Sequence, residues 1–382
     1  MIVYLSIIFP HDITMTRLHH LIILTIYLSI YLPIYLLPTT SSVGVWAWEL
    51  EIFPEAMAET AKHYDELWVP STFIKKSLDS SKSLTPTMVM PIGFPDKYFH
   101  VSHPDVKKTT YQLPSDIPLS ISTTAFMFLC IFDFNSAMDR KNPIGVVKAF
   151  KEAFNVKRSS DGGGDIITKE TVLVLKAGPW NIHFNEERSE LLRCIGGDPR
   201  IYFIEKSLED DDLDKLFLRA DSYVSLHRSE GFGLNILQAL ARGKATIATN
   251  YGGCTDFFDD PLIKKAHHLI PYTLVPIANN YKYNPYQIKN AQWAEPDMAA
   301  AVKAMREVIN QDMGDMAYYQ MMKTVSNTLK QSFGSSSLGN RMMDRLYQAP
   351  WKEKVVNTIS AKDRDLIELN MNYVGDHIFR DP

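Results

Sequence analysis

Residues 225–240 read SLHRSEGFGLNILQAL, and this stretch predicts a strand, a glycine-rich turn and a helix. An apolar run at residues 220–226 leads into it, and leucines at helical spacing follow the turn. A turn that opens a helix presents unpaired backbone N–H groups and the positive end of the helix dipole. Gly231 and Gly233 let this backbone approach a ligand closely, and Glu230 places a carboxylate beside it. The stretch therefore suits a ligand with an anionic group next to hydroxyls, such as a sugar phosphate or a nucleotide sugar.

The same alternation of strand and helix continues on both sides of this stretch. It starts with the apolar run of residues 126–132 and extends to the helical pattern of residues 298–309. Continuously apolar strands that alternate with helices indicate a parallel sheet covered on both faces. We therefore predict an α/β fold in which residues 125–314 form a complete doubly wound, Rossmann-like domain.

A second, smaller α/β unit is predicted upstream of this domain. Three short strand-like segments alternate with two helical ones in residues 41–95, and this rhythm predicts another parallel sheet. Residues 96–124 are rich in proline, serine, threonine and lysine and are interpreted as a linker. Residues 315–382 are interpreted as a polar helical tail, in which we expect Trp351 and Tyr373 to dock on the rest of the chain.

The composition is that of a globular protein, with 382 residues of which 46% are hydrophobic and 22% are charged. The formal net charge of −4 provides no basic field, so we expect no nucleic-acid partner. Cys130, Cys194 and Cys254 are scattered, which indicates reduced thiols instead of a disulfide framework or a zinc site. The sequence also contains no Asn-x-Ser/Thr glycosylation signal. These features favour a cytoplasmic protein.

Residues 1–40 differ in character from the rest of the chain. Residues 21–38 are apolar and uncharged, which would suit a membrane anchor, although Pro33 interrupts them and they are short for a span. A four-residue repeat of the type Ile-Tyr-Leu-Ser also runs through the segment, as a translated tetranucleotide repeat would produce. An anchor, translated non-coding sequence and a core strand stay open. We expect residues 1–40 to lie outside the folded protein and any membrane contact to run only through residues 21–38.

The stretch SEGFGL at residues 229–234, with ATIATNYGG at residues 245–253, resembles the donor-site signature of glycosyltransferase family 4. Members of that family are retaining enzymes with the GT-B fold, which hold a nucleoside-diphosphate sugar in the C-terminal domain and the acceptor in the N-terminal one. The resemblance implies that residues 125–314 bind the donor and that Glu230 is the catalytic residue, in contact with the transferred sugar. It implies donor-binding roles for Arg140, Lys141, His227, Gly231, Phe232, Gly233, Leu234 and Gln238.

Cations are expected to take the place of a metal ion in this site. Arg140 and Lys141 precede a helix and match the Arg and Lys that clamp the donor diphosphate in the family. The acidic residues 209–214 are interpreted as a solvated helix start, and no Asp-x-Asp stands at the end of a strand. The charge of a leaving diphosphate must be neutralised. We expect the two cations and the N–H groups at Gly233 and Leu234 to do so without a metal, and we expect no cofactor besides the donor substrate.

Two features depart from the family pattern. Gln238 stands where the family has a second glutamate that binds the ribose hydroxyls. Glutamine keeps one acceptor but lacks the charge, so we expect donor binding to be weaker by about 1 kcal/mol.

The second departure concerns the N-terminal domain. The strings WAWELE at residues 46–51 and WVPSTF at residues 68–73 look like only the second half of the family's N-terminal domain. The glycine-rich strand-loop-helix that normally begins that domain is absent from residues 1–40, which suggests a truncated or mis-annotated copy.

Other functions stay open beside a glycosyltransferase. A chain with half an acceptor domain could be a non-catalytic protein that binds nucleotide sugars. An epimerase or a phosphorylase with the GT-B fold is more remote, and a phosphorylase would also need a lysine for pyridoxal phosphate, which is not identifiable. For a transferase, the acceptor would be a glycan, a lipid or a protein.

Overall fold

The computed structural model describes residues 5–9, 41–81, 83–103, 121–155, 170–179, 182–277, 288–311 and 313–348. These residues form two α/β units with separate sheets, a two-stranded ribbon and a pair of C-terminal helices. The anchor candidate at residues 21–38, most of the predicted linker, and residues 349–382 of the tail, with Trp351 and Tyr373, lie outside the described residues.

The first unit contains a four-stranded sheet with the strand order β1-β2-β3-β4. Its strands are β1 (Leu5–Phe9), β2 (Ser41–Val45), β3 (Glu66–Val69) and β4 (Thr87–Val89), and its helices are α1 (Glu55–Ala58) and α2 (Thr72–Ser80). β2, β3 and β4 are parallel, as the strand-helix rhythm predicts. Their core is aromatic, since the buried ring of Trp46 stacks on Phe53 with 5.7 Å between the ring centroids.

Strand β1 contradicts the expectation that all of residues 1–40 lie outside the folded protein. It pairs antiparallel with β2, in a register that runs from Leu5 opposite Val45 to Phe9 opposite Ser41. An edge strand presents a row of unpaired N–H and C=O groups, and β1 satisfies those of β2. Of the three interpretations of residues 1–40, namely an anchor, translated non-coding sequence and a strand, the strand therefore applies to Leu5–Phe9.

The second unit contains a six-stranded parallel sheet with the order β10-β9-β8-β5-β6-β7. Its strands are β5 (Phe126–Ile131), β6 (Thr171–Ala177), β7 (Ile201–Glu205), β8 (Ser222–Ser225), β9 (Ala245–Thr249) and β10 (His268–Ile270). Its helices are α3 (Met138–Lys141), α4 (Pro143–Ala153), α5 (Asn185–Ile195), α6 (Asp210–Arg219), α7 (Leu234–Ala241), α8 (Pro261–Ala266) and α9 (Met298–Ile309). The predicted doubly wound topology is confirmed. The strand order reverses beside β5, and ligands of such sheets bind at the carboxyl ends of the strands near this point.

Both faces of the second sheet are buried. Phe126 and Phe128 of β5 belong to the core on the side of α4 and α9, whereas Met127 and Leu129 belong to the core on the side of α7. All four side chains have no exposed surface. Successive residues of a strand point to opposite faces, so a strand covered on both sides is apolar throughout. This explains the continuous apolar run in the sequence.

The ribbon and the C-terminal helices complete the described fold. The ribbon is formed by β11 (Tyr272–Pro276) and β12 (Gln292–Pro296), and the helices are α10 (Met316–Phe333) and α11 (Ser335–Gln348). α10 packs on α7, where Ser326 Oγ donates to the carbonyl oxygen of Ala241 at 2.6 Å. α11 returns to the first unit, where Arg345 pairs with Glu66. None of the described helices is long and apolar enough to cross a membrane.

Candidate functional site

The candidate site lies at the carboxyl end of β8, where the chain turns into α7. Gly233 caps α7 with a φ of 90°, a left-handed conformation that glycine adopts without strain. Leu234 and Asn235, in the first turn of α7, lie in the wall of a cavity. The predicted strand, glycine turn and helix are therefore present, and the N-terminus of α7 faces the space where a ligand would bind.

Position 231 requires a glycine because the two units contact each other there. A Cβ at this position would overlap the carbonyl oxygen of Trp48, in the loop after β2. Ser71 Oγ donates to the carbonyl oxygen of Gly231 at 2.6 Å, and Ser229 Oγ donates to the carbonyl oxygen of Glu49. The first unit thus closes directly over the glycine turn. From the sequence, Gly231 was expected to contact the ligand, and its contact with Trp48 was not predicted.

Glu230 is paired with two cations. Lys141 Nζ forms an ion pair with its Oε1, and Arg140 Nη1 lies 3.7 Å from its Oε2. Burial by itself raises the pKa of this carboxyl group, but the charges of Lys141 and Arg140 outweigh burial and lower the pKa to about 2. Glu230 is therefore ionised at neutral pH.

Arg140 is a buried cation that joins both units. Its Nε donates to the carbonyl oxygen of Ser136 at 3.2 Å, and its Nη1 donates to that of Ser229 at 2.8 Å. Its Nη2 lies 3.3 Å from Glu49 Oε1, so the guanidinium lies between a carboxylate of the first unit and Glu230 of the second. A planar guanidinium with five donors suits such a position.

Asn142 positions the two cations. It adopts a left-handed conformation, with φ 54°, that separates α3 from α4. Its Oδ1 accepts from the N–H of Gly145 at 3.0 Å, and its Nδ2 donates to the carbonyl oxygen of Leu226 at 2.8 Å. The end of α3, which carries Arg140 and Lys141, is thereby tied to the start of the loop that carries Glu230.

His227 is buried beneath the loop and is not part of the cavity wall. Its Nε2 lies 3.0 Å from the carbonyl oxygen of Tyr251, and its Nδ1 lies 3.0 Å from Ser225 Oγ. A carbonyl oxygen only accepts, so Nε2 carries the proton and Nδ1 accepts from the serine. Burial lowers the pKa of the imidazole. The neutral ring supports the loop, and the structure does not bring it to the donor-binding residues of the wall.

The cavity lies between the two units and has a volume of about 480 Å³. From the first unit its wall includes Trp48, Glu49, Pro70 and Ile74. From the second unit it includes the predicted site residues Arg140, Lys141, Glu230, Gly231, Phe232, Gly233, Leu234 and Gln238. All the predicted residues except His227 are thus brought together around one cavity.

The side chain of Phe232 belongs mainly to the core. Its ring lies 5.1 Å from that of Phe257 and 6.1 Å from that of Phe333, measured between centroids, and the residue is 6% exposed. Phe232 therefore anchors the glycine turn to α10. Any ligand contact from this residue would come chiefly from its backbone.

Two residues of the site were missed by the sequence reasoning. The Asn142-Pro143 pair is a typical helix start, with a capping side chain followed by proline, and this signal could have identified Asn142. Glu49 had no such signal, because its role depends on a contact with the distant Arg140. Among the described residues, no group of three or more His, Cys, Asp or Glu side chains is placed to hold a metal ion.

Comparisons with known proteins identify the central part of the second unit. Residues 137–262 match the family model described as "Glycosyl transferases group 1". This range contains both cations, Glu230 and all of α7. No curated protein matches the chain by sequence.

Solved structures share the GT-B fold of the chain. Sucrose-phosphate synthase from Thermosynechococcus elongatus is similar with a TM-score of 0.53 and 17% identity, over 76% of this chain and 60% of that one. HepE from Anabaena, in complex with UDP and glucose, has a TM-score of 0.53 and 13% identity, over 78% and 68% of the two chains. A glycosyltransferase from Rickettsia africae has a TM-score of 0.54 and 14% identity, over 78% and 68%. The chain thus spans less than two thirds of the synthase.

Proposed function

We propose that this chain, with its glycosyl transferases group 1 domain, is a retaining glycosyltransferase of the family 4 type. It would move a sugar from a nucleoside-diphosphate sugar to an acceptor, without a metal ion. The observation that carries the proposal is the convergence of Lys141, Arg140 and the N-terminus of α7 around Glu230 in the wall of one cavity.

The leaving group of such a transfer is a nucleoside diphosphate, which gains negative charge as the bond to the sugar breaks. Lys141 and Arg140 supply two positive charges in a largely buried site, where electrostatic interactions are stronger than in water. The free N–H groups at the start of α7 add hydrogen-bond donors and the positive end of the helix dipole. These groups can stabilise the departing diphosphate in place of a metal ion.

Glu230 would act on the transferred sugar. Since its pKa is lowered to about 2, its carboxylate can accept hydrogen bonds from sugar hydroxyls at neutral pH. Its negative charge would also stabilise the positive charge that develops on the sugar ring as the bond to the diphosphate breaks. The acceptor would enter from the first unit, which forms the opposite wall of the cavity.

The crystal structures of HepE with UDP and with UDP-glucose support a uridine nucleotide as the first donor to test. Purified protein should be incubated with radiolabelled UDP-glucose, and with other labelled nucleotide sugars, together with mixed glycan, lipid and protein acceptors. We expect labelled product over multiple turnovers. Glu230→Gln should lower the rate by about 100-fold or more, the scale for removal of an electrostatic group from an active site.

A matched control is Glu152→Gln, because Glu152 is an exposed carboxylate on α4 and its replacement should leave the rate unchanged. Donor binding without sugar transfer to any acceptor would favour the alternative of a nucleotide-sugar-binding protein. Failure of every nucleotide sugar to bind would overturn the proposal.

A further inference from the structure

Glu49 is a carboxylate of the first unit that enters the predicted diphosphate site. It lies in the cavity wall, and its Oε1 is 3.3 Å from Nη2 of Arg140. Its side chain is 27% exposed, whereas that of Arg140 is 3% exposed. The pair therefore joins the two units in the wall of the cavity, with the glutamate as the more accessible partner.

The backbone around Glu49 is held firmly in place. Its carbonyl oxygen accepts a hydrogen bond from Ser229 Oγ, and the neighbouring Trp48 donates from Nε1 to the carbonyl oxygen of Ile52 at 2.9 Å. The carbonyl oxygen of Trp48 also packs against Gly231. When a ligand binds at the site, the carboxylate of Glu49 can therefore move by rotation of its side chain while its backbone stays in place.

The charges at the site balance before any anion is added. Arg140 and Lys141 carry two positive charges, and Glu49 and Glu230 carry two negative ones, so this group of four is neutral. A diphosphate brings at least two further negative charges. Arg140 is already shared between two carboxylates, and an arriving phosphate oxygen must compete with them for its donors.

Of the two carboxylates, Glu49 is the easier to displace. Glu230 is 10% exposed at its side chain and is held by both cations at 3.7 Å or less, whereas Glu49 is 27% exposed at its side chain and its Oε1 lies 3.3 Å from Nη2 of Arg140. We infer that Glu49 competes with the donor's diphosphate for Arg140 and is displaced from it when the donor binds. Glu49 is then a positioning residue that holds Arg140 between the units and exchanges places with the diphosphate. This inference rests on the proposed function, because it takes the anion at Arg140 to be the donor's diphosphate.

The test is the affinity of the full chain for UDP, measured by calorimetry, with inorganic pyrophosphate as a second probe that lacks the nucleoside. Glu49→Gln keeps the shape of the side chain and removes the competing charge. We expect both probes to bind about fivefold more tightly to this variant, a factor that corresponds to the strength of one partly exposed ion pair. A purely structural role would predict unchanged or weaker binding.

Two further variants separate competition at Arg140 from a general effect of charge. Glu49→Asp keeps the charge but withdraws the carboxylate by about one C–C bond, out of reach of Nη2. We expect it to show at least a twofold gain in affinity. Glu51→Gln removes an exposed carboxylate two residues away and should leave both affinities unchanged.

The outcomes distinguish the inference from the proposed function. If the unmodified chain binds neither probe, both are wrong. If it binds UDP but Glu49→Gln does not bind more tightly, the inference fails and the proposed function stands. A gain in Glu49→Gln without any gain in Glu49→Asp, or an equal gain in Glu51→Gln, would also overturn the inference. In an Arg140→Gln background, Glu49→Gln should give no gain, and a gain there would contradict competition for Arg140.

Discussion

The carboxylate of Glu66, in the first sheet, is bound by the guanidinium of Arg345, in α11. Arg345 Nε lies 3.0 Å from Glu66 Oε1, and the same oxygen accepts a hydrogen bond of 2.7 Å from Trp68 Nε1. Glu66 is 1% exposed. A helix that follows the second unit in the chain is thus tied to a buried charge in the first unit.

Arg345→Met should destabilise the protein by about 2 to 3 kcal/mol, because it leaves the buried carboxylate of Glu66 without its counterion. Urea unfolding at neutral pH measures the change. Arg341→Met is the matched control, since Arg341 is an exposed residue on the same helix, and it should cost much less. Equal effects of the two substitutions would show that the ion pair contributes nothing to stability.

Lys141→Ala should weaken the binding of UDP by about 1.5 to 3 kcal/mol, the usual contribution of a hydrogen bond to a charged group. Titration calorimetry gives the affinity directly. Lys148, an exposed lysine on α4, provides the control, and Lys148→Ala should bind UDP as the unmodified chain does. Unchanged affinity in Lys141→Ala would remove Lys141 from the site.

Gln238→Glu should strengthen the binding of UDP by about 1 kcal/mol, because a carboxylate accepts stronger hydrogen bonds from ribose hydroxyls than an amide does. Gln238 lies in the cavity wall, on α7. Inorganic pyrophosphate contains no ribose, so its affinity should not rise in the same variant. A gain for both ligands, or for neither, would argue against a contact between this position and the ribose.

Glu230 should make stability depend on pH below neutrality. Its pKa in the folded protein is about 2, below the ordinary value of 4.5, so the unfolded chain binds this proton more tightly. The resulting stabilisation is present in full above pH 4.5 and is lost as the pH falls towards 2. Its size is on the order of 3 kcal/mol.

Urea unfolding of the unmodified chain and of Glu230→Gln, at several pH values between 7 and 3, measures this dependence. The difference in stability between the two proteins should be greatest near neutral pH and should shrink in acid. Glu152→Gln should show no such convergence. A constant difference between Glu230→Gln and the unmodified chain would mean that the carboxylate is not selectively stabilised in the folded state.

Some elements of the fold were harder to predict than the strand-helix alternation. The ribbon of β11 and β12 was not predicted from the sequence. The pairing of β1 with β2 was also missed, because the repeat in residues 1–40 has no alternation that marks a strand. In both cases a strand forms because a distant partner offers unpaired backbone groups, and no local pattern records that partner.

The sequence by itself determined the parallel strands of both sheets and the glycine turn before α7, and its resemblance to glycosyltransferase family 4 grouped Glu230, Arg140 and Lys141. The strands and the turn depend on local signals, which are apolar periodicity and the glycines and caps at helix ends. Only the tertiary structure decided that Gly231 meets Trp48, that His227 lies beneath the loop, and that Glu49 reaches Arg140. Each of these contacts joins segments that are separated in the chain. They depend on how the folded segments pack together, and no local sequence pattern encodes that packing.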